Sequence, residues 1–214
     1  MKELLKRVTN VVDVKKAEVP LHVVDTKEEG LKFDKDLEII IVSDNHRVKK
    51  GLEKVLKRYT SADCFLHCGD SNLDRSTDVM RPFVTVRGNT DYQQGYAEDE
   101  FVELESGTRI WVTHGHRYSV NSSTDELVKS AKNGSIETMD EMLPIDIIAY
   151  GHTHKVDVKM QEGFLIINPG SISKPRDGTR RTYGRLLIKS NCYEIQIFDV
   201  SDHAIIKEFQ FLRE

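Results

Sequence analysis

The sequence predicts an α/β protein whose sheet is mixed, with both parallel and antiparallel strands. Short runs rich in Val, Ile and Phe each end in a cluster of Gly, Asn, Asp and His, which is typical of buried strands followed by tight turns. Helical patterns separate several of these runs, and such alternation favours parallel strand pairing. The tail instead shows two strand-like runs joined by a two-residue turn, which predicts an antiparallel hairpin.

The first part of the chain differs in composition from the rest. Residues 1–36 are rich in Lys, Glu, Asp and Val, with apolar positions at roughly helical spacing from Leu4 to Val12 and an extended piece around Pro20 to Val24. We predict an N-terminal extension over residues 1–36, followed by a single domain over residues 37–214. The extension is either a poorly packed leader or an element that covers a sheet edge or joins copies of the chain into a homo-oligomer.

Six apolar runs of the domain are predicted as buried strands, and two segments between them as helices. The predicted strands are Glu38–Val42, Asp63–His67, Phe83–Val86, Arg109–Thr113, Ile145–Tyr150 and Phe164–Ile167. Helices are predicted over Lys49–Tyr59 and over Thr124–Ala131, where a capping-type sequence precedes the second. In the tail, Arg185–Lys189 and Tyr193–Val200 flank a short polar turn and form the predicted hairpin.

The composition argues against several classes of protein. The chain has 31 Lys and Arg residues against 35 Asp and Glu residues, which gives a formal charge of −4. Domains that bind nucleic acid through phosphate contacts usually have a pI above about 9. A nucleic-acid partner is therefore not expected. The apolar runs are far shorter than the roughly 20 residues needed to cross a bilayer, so we expect no membrane association. Three cysteines and the lack of an apolar secretory centre favour a reduced, cytoplasmic protein.

Polar side chains gather where the predicted strands end. Five segments follow this pattern: Asp44-Asn45-His46, Gly69-Asp70, Gly88-Asn89, His114-Gly115-His116 and Gly151-His152-Thr153-His154. In an α/β sheet the ligand crevice lies beyond the carboxyl ends of the strands, so these segments can converge on one site. The glycines permit sharp turns and a close approach of the backbone to a ligand.

These segments supply the donors of a metal site. Carboxylates, imidazoles and carboxamides are the ligand mixture that Mn²⁺, Fe²⁺, Ni²⁺ and Zn²⁺ accept. The spacing of two in Asp44/His46 and in His152/His154 lets both members of each pair point to one side of an extended segment. Two divalent ions would bring four positive charges, and Asp44, Asp70 and a bridging hydroxide would bring three negative ones, so about one positive charge would remain. This net charge favours an anionic substrate. The natural reaction is hydrolysis of a phosphoester by in-line attack of the hydroxide.

The order D-x-H, G-D, G-N, H-G-H, G-H-x-H resembles the calcineurin-like metallophosphoesterase superfamily. The run Asn168-Pro169-Gly170-Ser171 resembles its small YfcE-type phosphodiesterase branch, and the resemblance extends from about Glu38 to Val200. It implies a four-layer α/β/β/α sandwich, a metal-dependent hydrolase of phosphoric esters, and a centre of two divalent metals, with Mn²⁺ expected ahead of Ni²⁺, Fe²⁺ and Zn²⁺.

The same resemblance implies a role for each residue of the predicted site. The first metal would be bound by Asp44, His46 and His154, the second by Asn89, His114 and His152, and Asp70 would bridge the two. His116 and Asn45 would contact a small phosphoester substrate. One position departs from the wider superfamily: Thr90 stands where many members have a histidine that assists the leaving group, so diesters or activated esters are expected ahead of unactivated monoesters.

A second class of function is compatible with the same resemblance. The retromer scaffold subunit keeps this sandwich but acts as a protein-binding platform, so a catalytically weak scaffold for protein–protein interaction is the alternative. Metal-ligand completeness separates the two hypotheses, because a scaffold can lose metal ligands freely, and all seven positions here have acceptable ligands. The enzyme is therefore the leading hypothesis, with a nuclease as a third option that the acidic balance disfavours.

Overall fold

Twelve strands and two α-helices make up the part of the chain that the structure, a computed structural model, describes: residues 21–23, 36–92, 95–104, 106–133, 144–178 and 180–213. In chain order the elements are β1 (Leu21–Val23), β2 (Leu37–Val42), α1 (Lys49–Arg58), β3 (Cys64–His67), a 3-10 helix (Asp78–Met80), β4 (Val84–Thr85), β5 (Asp99–Glu103), β6 (Arg109–Thr113), α2 (Asp125–Asn133), β7 (Ile147–Ala149), β8 (Val156–Gln161), β9 (Phe164–Pro169), β10 (Thr182–Ile188), β11 (Cys192–Asp199) and β12 (Ile205–Leu212). None of the helices in these ranges is long and apolar enough to span a membrane.

The strands form two mixed sheets of six strands each. The first sheet has the order β1-β5-β6-β7-β9-β8, and the second has the order β12-β11-β10-β2-β3-β4. In the second sheet β2, β3 and β4 pair in parallel, while β10 pairs antiparallel with both β2 and β11. In the first sheet β6, β7 and β9 pair in parallel. Both sheets are therefore mixed, as the sequence predicts.

Side-chain alternation along each strand divides the interior into three apolar layers. In β2, Ile39 and Ile41 point into the core between the two sheets, whereas Ile40 and Val42 point outward and pack under Leu52 of α1. The amphipathic helix α1 thus covers the outer face of the second sheet.

The first sheet has the same arrangement. Ile110 and Val112 of β6 face the inter-sheet core, while Trp111 faces outward and packs in a cluster with Leu127 and Val128 of α2. Since each fully buried side chain of this size contributes about 1.5–3 kcal/mol, the three layers hold the sheets in a fixed relation. The predicted four-layer α/β/β/α sandwich is confirmed.

Most predicted elements match the structure within two residues. β6 coincides with its predicted strand Arg109–Thr113, α1 ends one residue early, and β10 and β11 form the predicted hairpin. Three strands were not predicted: β5, β8 and β12. The sequence does not predict β5 because the strand begins with two acidic residues, Asp99 and Glu100, which are nevertheless buried. Asp99 accepts a hydrogen bond from the Trp111 indole at 3.0 Å.

Only a short part of the N-terminal extension is described. β1 lies within the predicted extended piece and pairs in parallel with β5 at the edge of the first sheet. The helical pattern between Leu4 and Val12 lies outside the described residues, so the helix there stays a prediction.

Candidate metal centre

All five polar segments follow the carboxyl ends of parallel-paired strands. β2, β3 and β4 of the second sheet lead to Asp44, Asp70 and Asn89, while β6 and β7 of the first sheet lead to His114 and His152. Backbone hydrogen bonds join neighbouring segments, from Asp44 N–H to Gly69 O at 3.1 Å and from the Gly151 N–H to His114 O at 3.2 Å. The two sheets therefore present their loops to one common site.

The seven predicted metal ligands lie together in this site, and one of them, Asp70, lies between the other six. Ligand atoms of Asp44, His46 and His154 lie within 4.8 Å of one another, and so do those of Asp44, Asp70 and His114. We name the residues Asp44, His46 and His154 the first group and the residues Asn89, His114 and His152 the second group.

In the first group three lone pairs converge. His154 Nε2 lies 3.1 Å from Asp44 Oδ1 and 3.3 Å from His46 Nε2. The other ring nitrogens are engaged: His154 Nδ1 donates to Lys174 O at 2.6 Å and His46 Nδ1 donates to Asn72 Oδ1 at 3.0 Å. Both Nε2 atoms are then free to act as ligands, which is how metal-binding histidines are oriented.

Asp44 Oδ1 supplies the test of whether a cation belongs there. This oxygen is buried, and while His154 Nε2 at 3.1 Å carries no proton, it accepts no hydrogen bond from the described residues. A buried carboxylate oxygen without a partner is strongly unfavourable. Burial lowers the pKa of His154, but Asp44 and the Lys174 carbonyl together raise it more, so the pKa lies above its usual value. A proton on Nε2 and a cation compete for the same lone pairs, and a divalent cation fits this group.

Asp44 is fixed from all sides. Its Oδ2 accepts hydrogen bonds from Ser43 Oγ at 2.6 Å and from the His152 N–H at 3.2 Å. Its carbonyl oxygen accepts from Ser171 Oγ at 2.9 Å and Ser173 Oγ at 2.7 Å. Oδ1 alone is left to face the site, so the carboxylate is preorganised for a ligand on that side.

The second group is built around an amide oxygen. Asn89 Oδ1 lies 3.2 Å from His114 Nε2 and 3.0 Å from His152 Nδ1. His114 Nδ1 donates to Cys68 O at 2.6 Å, which leaves Nε2 facing the site. The Asn121 amide lies 3.1 Å from His152 Nε2, so the outer side of that ring is also held.

Asp70 lies between the two groups. Its Oδ2 is 3.5 Å from His114 Nε2 and 4.0 Å from His46 Nε2, while its Oδ1 accepts the Thr90 N–H at 2.8 Å. Burial raises the pKa of Asp70, but the contacts with His114 and the hydrogen bonds from Thr90 together lower it more, so the carboxyl is ionised at neutral pH. The contact with Asp70 raises the pKa of His114 against the effect of its burial. Oδ2 is in position to serve both groups.

Five of the seven predicted ligands have a left-handed backbone that non-glycine residues rarely adopt. Their φ angles are 57° at Asp44, 42° at His46, 53° at Asp70, 68° at His152 and 59° at His154. Such conformations are unfavourable by about 1–3 kcal/mol each and persist where the surrounding structure enforces them. Strained backbone of this kind clusters at functional sites, where it directs side chains into positions that a relaxed loop would not give them.

Two glycines permit the close packing of these loops. A Cβ added at Gly88 would lie 2.1 Å from Asp70 Oδ1, and one added at Gly151 would lie 2.1 Å from Ser43 Oγ. Only glycine can occupy these positions without moving a ligand or its support.

The two predicted substrate-contacting residues differ in placement. His116 lies beside the second group, with its ring centroid 5.4 Å from that of His114, and its Nε2 is 3.8 Å from Glu98 Oε2. Asn45 is fully buried, where its Oδ1 accepts from His67 Nε2 at 2.8 Å and its Nδ2 donates to Val48 O at 3.4 Å. Substrate contact stays a prediction for both residues, and Asn45 in this structure braces the loop between two ligands.

Several supporting residues were not identified from the sequence. Asn72, Asn121 and Ser173 lie outside the five strand-end segments. The backbone carbonyls of Cys68 and Lys174 could be supplied by any residue type, so the sequence does not predict their roles. In the sequence, Ser171 stands out only as the last residue of the run Asn168-Pro169-Gly170-Ser171, and the structure shows what this run contacts. Asn168 Nδ2 donates to Gly151 O at 2.8 Å, so this segment ties the last ligand loop to the first.

Comparison with known proteins agrees with this geometry. Residues 37–191 match the family model of the calcineurin-like phosphoesterase superfamily domain. The chain is 29% identical over 170 residues to the probable metallophosphoesterase YsnB of Bacillus subtilis, which covers 79% of this chain and 95% of that protein. It is 27% identical over 121 residues to phosphodiesterase YfcE of Escherichia coli, over 53% of this chain and 56% of that protein.

Solved structures show the same fold. A conserved uncharacterized protein of Streptococcus pneumoniae, described as a predicted phosphoesterase, superposes with a TM-score of 0.74 at 30% identity over 84% of this chain and 99% of its own. Zinc-complexed Vps29 of Entamoeba histolytica shares the fold at a TM-score of 0.62 and 21% identity, over 82% of this chain and 99% of its own. From the family match and the ligand geometry together, the chain belongs to the calcineurin-like phosphoesterase superfamily.

Proposed function

We propose that this protein is a metal-dependent phosphodiesterase that acts on a small phosphoester through a centre of two divalent cations, with Mn²⁺ as the first metal to test. The observation that supports the proposal most directly is the shared carboxylate: Asp70 Oδ2 faces a histidine of each group. Relatives named metallophosphoesterase and phosphodiesterase support the same class of reaction.

Two divalent cations, when bound, supply a lowered pKa for water and a positive field over the attacking and leaving oxygens of a displacement. The residues of the chain determine where those cations lie. Asp44 and Asp70 contribute two negative charges against four positive ones, and Asn89 and the neutral histidines contribute none. The site therefore keeps a positive charge that attracts an anionic phosphoester.

The proposed preference for diesters rests on the weak proton donors that the described residues place beside the second group. The Thr90 hydroxyl is hydrogen-bonded to Asn72 Oδ1 at 3.3 Å, and a hydroxyl is a far weaker acid than an imidazolium. Burial and the neighbouring His114 lower the pKa of His116, so its ring is neutral at pH 7. A leaving group that departs without protonation is favoured, as in activated esters. Thr90→His should raise monoester turnover relative to diester turnover, and an unchanged ratio would contradict this explanation.

The deciding experiment measures hydrolysis of an activated phosphodiester and its matching monoester by chelator-treated protein, before and after Mn²⁺ is added. We expect Mn²⁺ to restore diester cleavage in the wild type. Asp70→Asn should lower this activity by about 10³-fold or more, a loss of about 4 kcal/mol of transition-state stabilisation. Asp74→Asn is the matched control, because Asp74 is an exposed carboxylate four residues away whose partner is Ser76.

The same experiment tests the alternative function. A wild-type protein that binds Mn²⁺ and cleaves neither ester would overturn the phosphodiesterase and favour a protein-binding scaffold, a reading to which the shared fold with Vps29 lends support. Activity that survives complete removal of metal would overturn the metal centre itself.

A further inference from the structure

We propose that Asn72 is a positioning residue for both ligand groups: its one amide orients His46 for the first cation and holds the Thr90 segment that orients Asp70 for both. The inference rests on the proposed metal centre and adds to it a residue that belongs to none of the five strand-end segments.

The contact with the first group is made through the carbonyl end of the amide. Asn72 Oδ1 accepts the hydrogen bond from His46 Nδ1 at 3.0 Å. This bond fixes the tautomer of His46, so that its Nε2 has a lone pair directed at His154 Nε2 and Asp44. His154 receives the equivalent support from a backbone carbonyl, that of Lys174. His46 depends on a side chain for it, and a side chain can be changed by mutation.

The contact with the second group is made through the amino end. Asn72 Nδ2 donates to the Thr90 carbonyl oxygen and lies 3.0 Å from Thr90 Oγ1. Thr90 follows Asn89 directly, and its own N–H donates to Asp70 Oδ1 at 2.8 Å. Asn72 therefore holds the segment that places both the amide ligand of the second group and the shared carboxylate.

The backbone at this position also suits asparagine. Asn72 has φ 52°, a left-handed conformation that asparagine tolerates better than most residues. Its N–H donates to Asp91 Oδ1 at 2.5 Å, and Asp91 Oδ2 accepts the Gly88 N–H at 2.9 Å. The buried Asp91 carboxylate thus joins the Asp70 loop to the Gly88 loop, and the Asn72 amide acts on top of that junction.

The two ends of the amide can be separated by substitution. Asn72→Asp keeps an acceptor for His46 and for the Thr90 hydroxyl, but it replaces the donor to the Thr90 carbonyl by a second oxygen, which repels that carbonyl. Asn72→Gly removes both contacts and is compatible with the left-handed backbone, since glycine adopts positive φ without strain. Asn191→Gly in the β10–β11 turn is the matched control for loss of an asparagine far from the site.

The test is calorimetric titration of the chelator-treated protein with Mn²⁺, together with the electron paramagnetic resonance signal of a spin-coupled Mn²⁺ pair. Loss of a group that hydrogen-bonds to a metal ligand typically changes metal affinity by about 10–100-fold. We expect Asn72→Gly to weaken both Mn²⁺ sites within that range and to lose the coupled signal. Asn72→Asp should weaken the second site by about tenfold and the first site by less than Asn72→Gly does, because an acceptor for His46 remains. Asn191→Gly should match the wild type.

The outcomes separate this inference from the proposed function. A wild type that binds no Mn²⁺ overturns the metal centre and the role of Asn72 with it. A wild type that binds two Mn²⁺ ions while Asn72→Gly binds them equally well overturns the role of Asn72 alone. A purely structural role is also distinguishable, because it would weaken both sites equally in the Gly and Asp variants and in proportion to a loss of thermal stability of the metal-free protein.

Discussion

The two ligand groups differ in charge and in exposure. The first group contains a carboxylate of its own, and its Asp44 and His154 are 0% and 3% exposed. The second group has an amide in place of the carboxylate, its Asn89 is exposed, and His152 is only half-buried, so His114 alone is fully buried there. Both groups contact Asp70, but the second group contains no carboxylate of its own.

This difference in charge and exposure predicts different metal affinities for the two sites. A buried carboxylate attracts a divalent cation strongly because the surrounding dielectric is low, whereas an amide oxygen in contact with water supplies only a dipole. We therefore expect the first site to bind its metal more tightly and to hold it throughout turnover. We expect a substrate to reach the centre from the side of the second site, which is open to solvent and lies beside His116.

The strongest test of this comparison removes the charge of the first group. Asp44→Asn keeps the size of the side chain but abolishes its charge, so the affinity of the first site for Mn²⁺ should fall by about 10³-fold, or about 4 kcal/mol. Calorimetric titration of the metal-free protein measures this. Asp74→Asn serves again as the exposed control. A first-site affinity within threefold of the wild type would show that Asp44 is not its principal charge.

The reverse substitution sharpens the comparison by making the two groups alike. Asn89→Asp gives the second group a carboxylate of nearly the same shape as the amide that it replaces. We expect Mn²⁺ affinity at the second site to rise by about tenfold, or about 1.4 kcal/mol. Diester turnover should fall at the same time, because the added charge lowers the positive field that attracts the substrate. Tighter binding together with faster turnover would contradict the charge argument.

The sequence predicts the ligands far better than their supports, and the reason is physical. Ligands such as His114 and His154 are confined to residue types that metals accept, and they lie where parallel strands end, so composition and position both point to them. Their supports are chosen by geometry alone: any residue can supply the carbonyl that Cys68 gives to His114. Asn72 has a recognisable side chain, but two loops must first be placed in space before its contact with Thr90 can be seen.

The fold shows the same division. Central strands such as β2 and β6 were predicted because continuous apolar runs reflect burial on both faces. The edge strands β8 and β12 were not, since one or both faces meet solvent and the apolar signal is weaker. β8 does alternate, with Val156 and Val158 on one face, so a search for period-two patterns alone would have found it.

A third prediction concerns the support beneath the first group. His67 is fully buried: its Nδ1 accepts the Gly69 N–H at 3.2 Å, and its Nε2 donates to Asn45. Burial lowers its pKa to about 4, from 6.5, despite the opposing effect of nearby carboxylates such as Asp91. Between pH 6.5 and 4 the unfolded chain binds a proton here that the folded chain does not, so the free energy of unfolding falls as pH falls through this window.

The size of this contribution is about 3 kcal/mol, fully present above pH 6.5. His67→Gln keeps polar atoms at this position but cannot titrate, so its destabilisation relative to the wild type should shrink as pH is lowered from 7 to 4.5. Urea unfolding of both proteins at several pH values, in the presence of chelator, measures the difference. A destabilisation that is constant with pH would show that His67 is not the buried neutral group responsible.

The smallest expected effect comes from the end of β2 opposite the metal ligands. Arg185 Nε donates to Glu38 Oε1 at 2.5 Å, and the two side chains are 28% and 20% exposed. Partly exposed ion pairs contribute about 0.5–1 kcal/mol and are screened by salt, so Glu38→Gln should lower the free energy of unfolding by no more than that, and by less at high ionic strength.

Glu38 lies four residues before the end of β2, about 13 Å from the strand end that precedes Asp44. Mn²⁺ affinity at both sites should therefore stay within twofold of the wild type. A larger change in affinity would mean that the two ends of the sheet are coupled, and the difference between the two groups could then no longer be attributed to their own charge and burial.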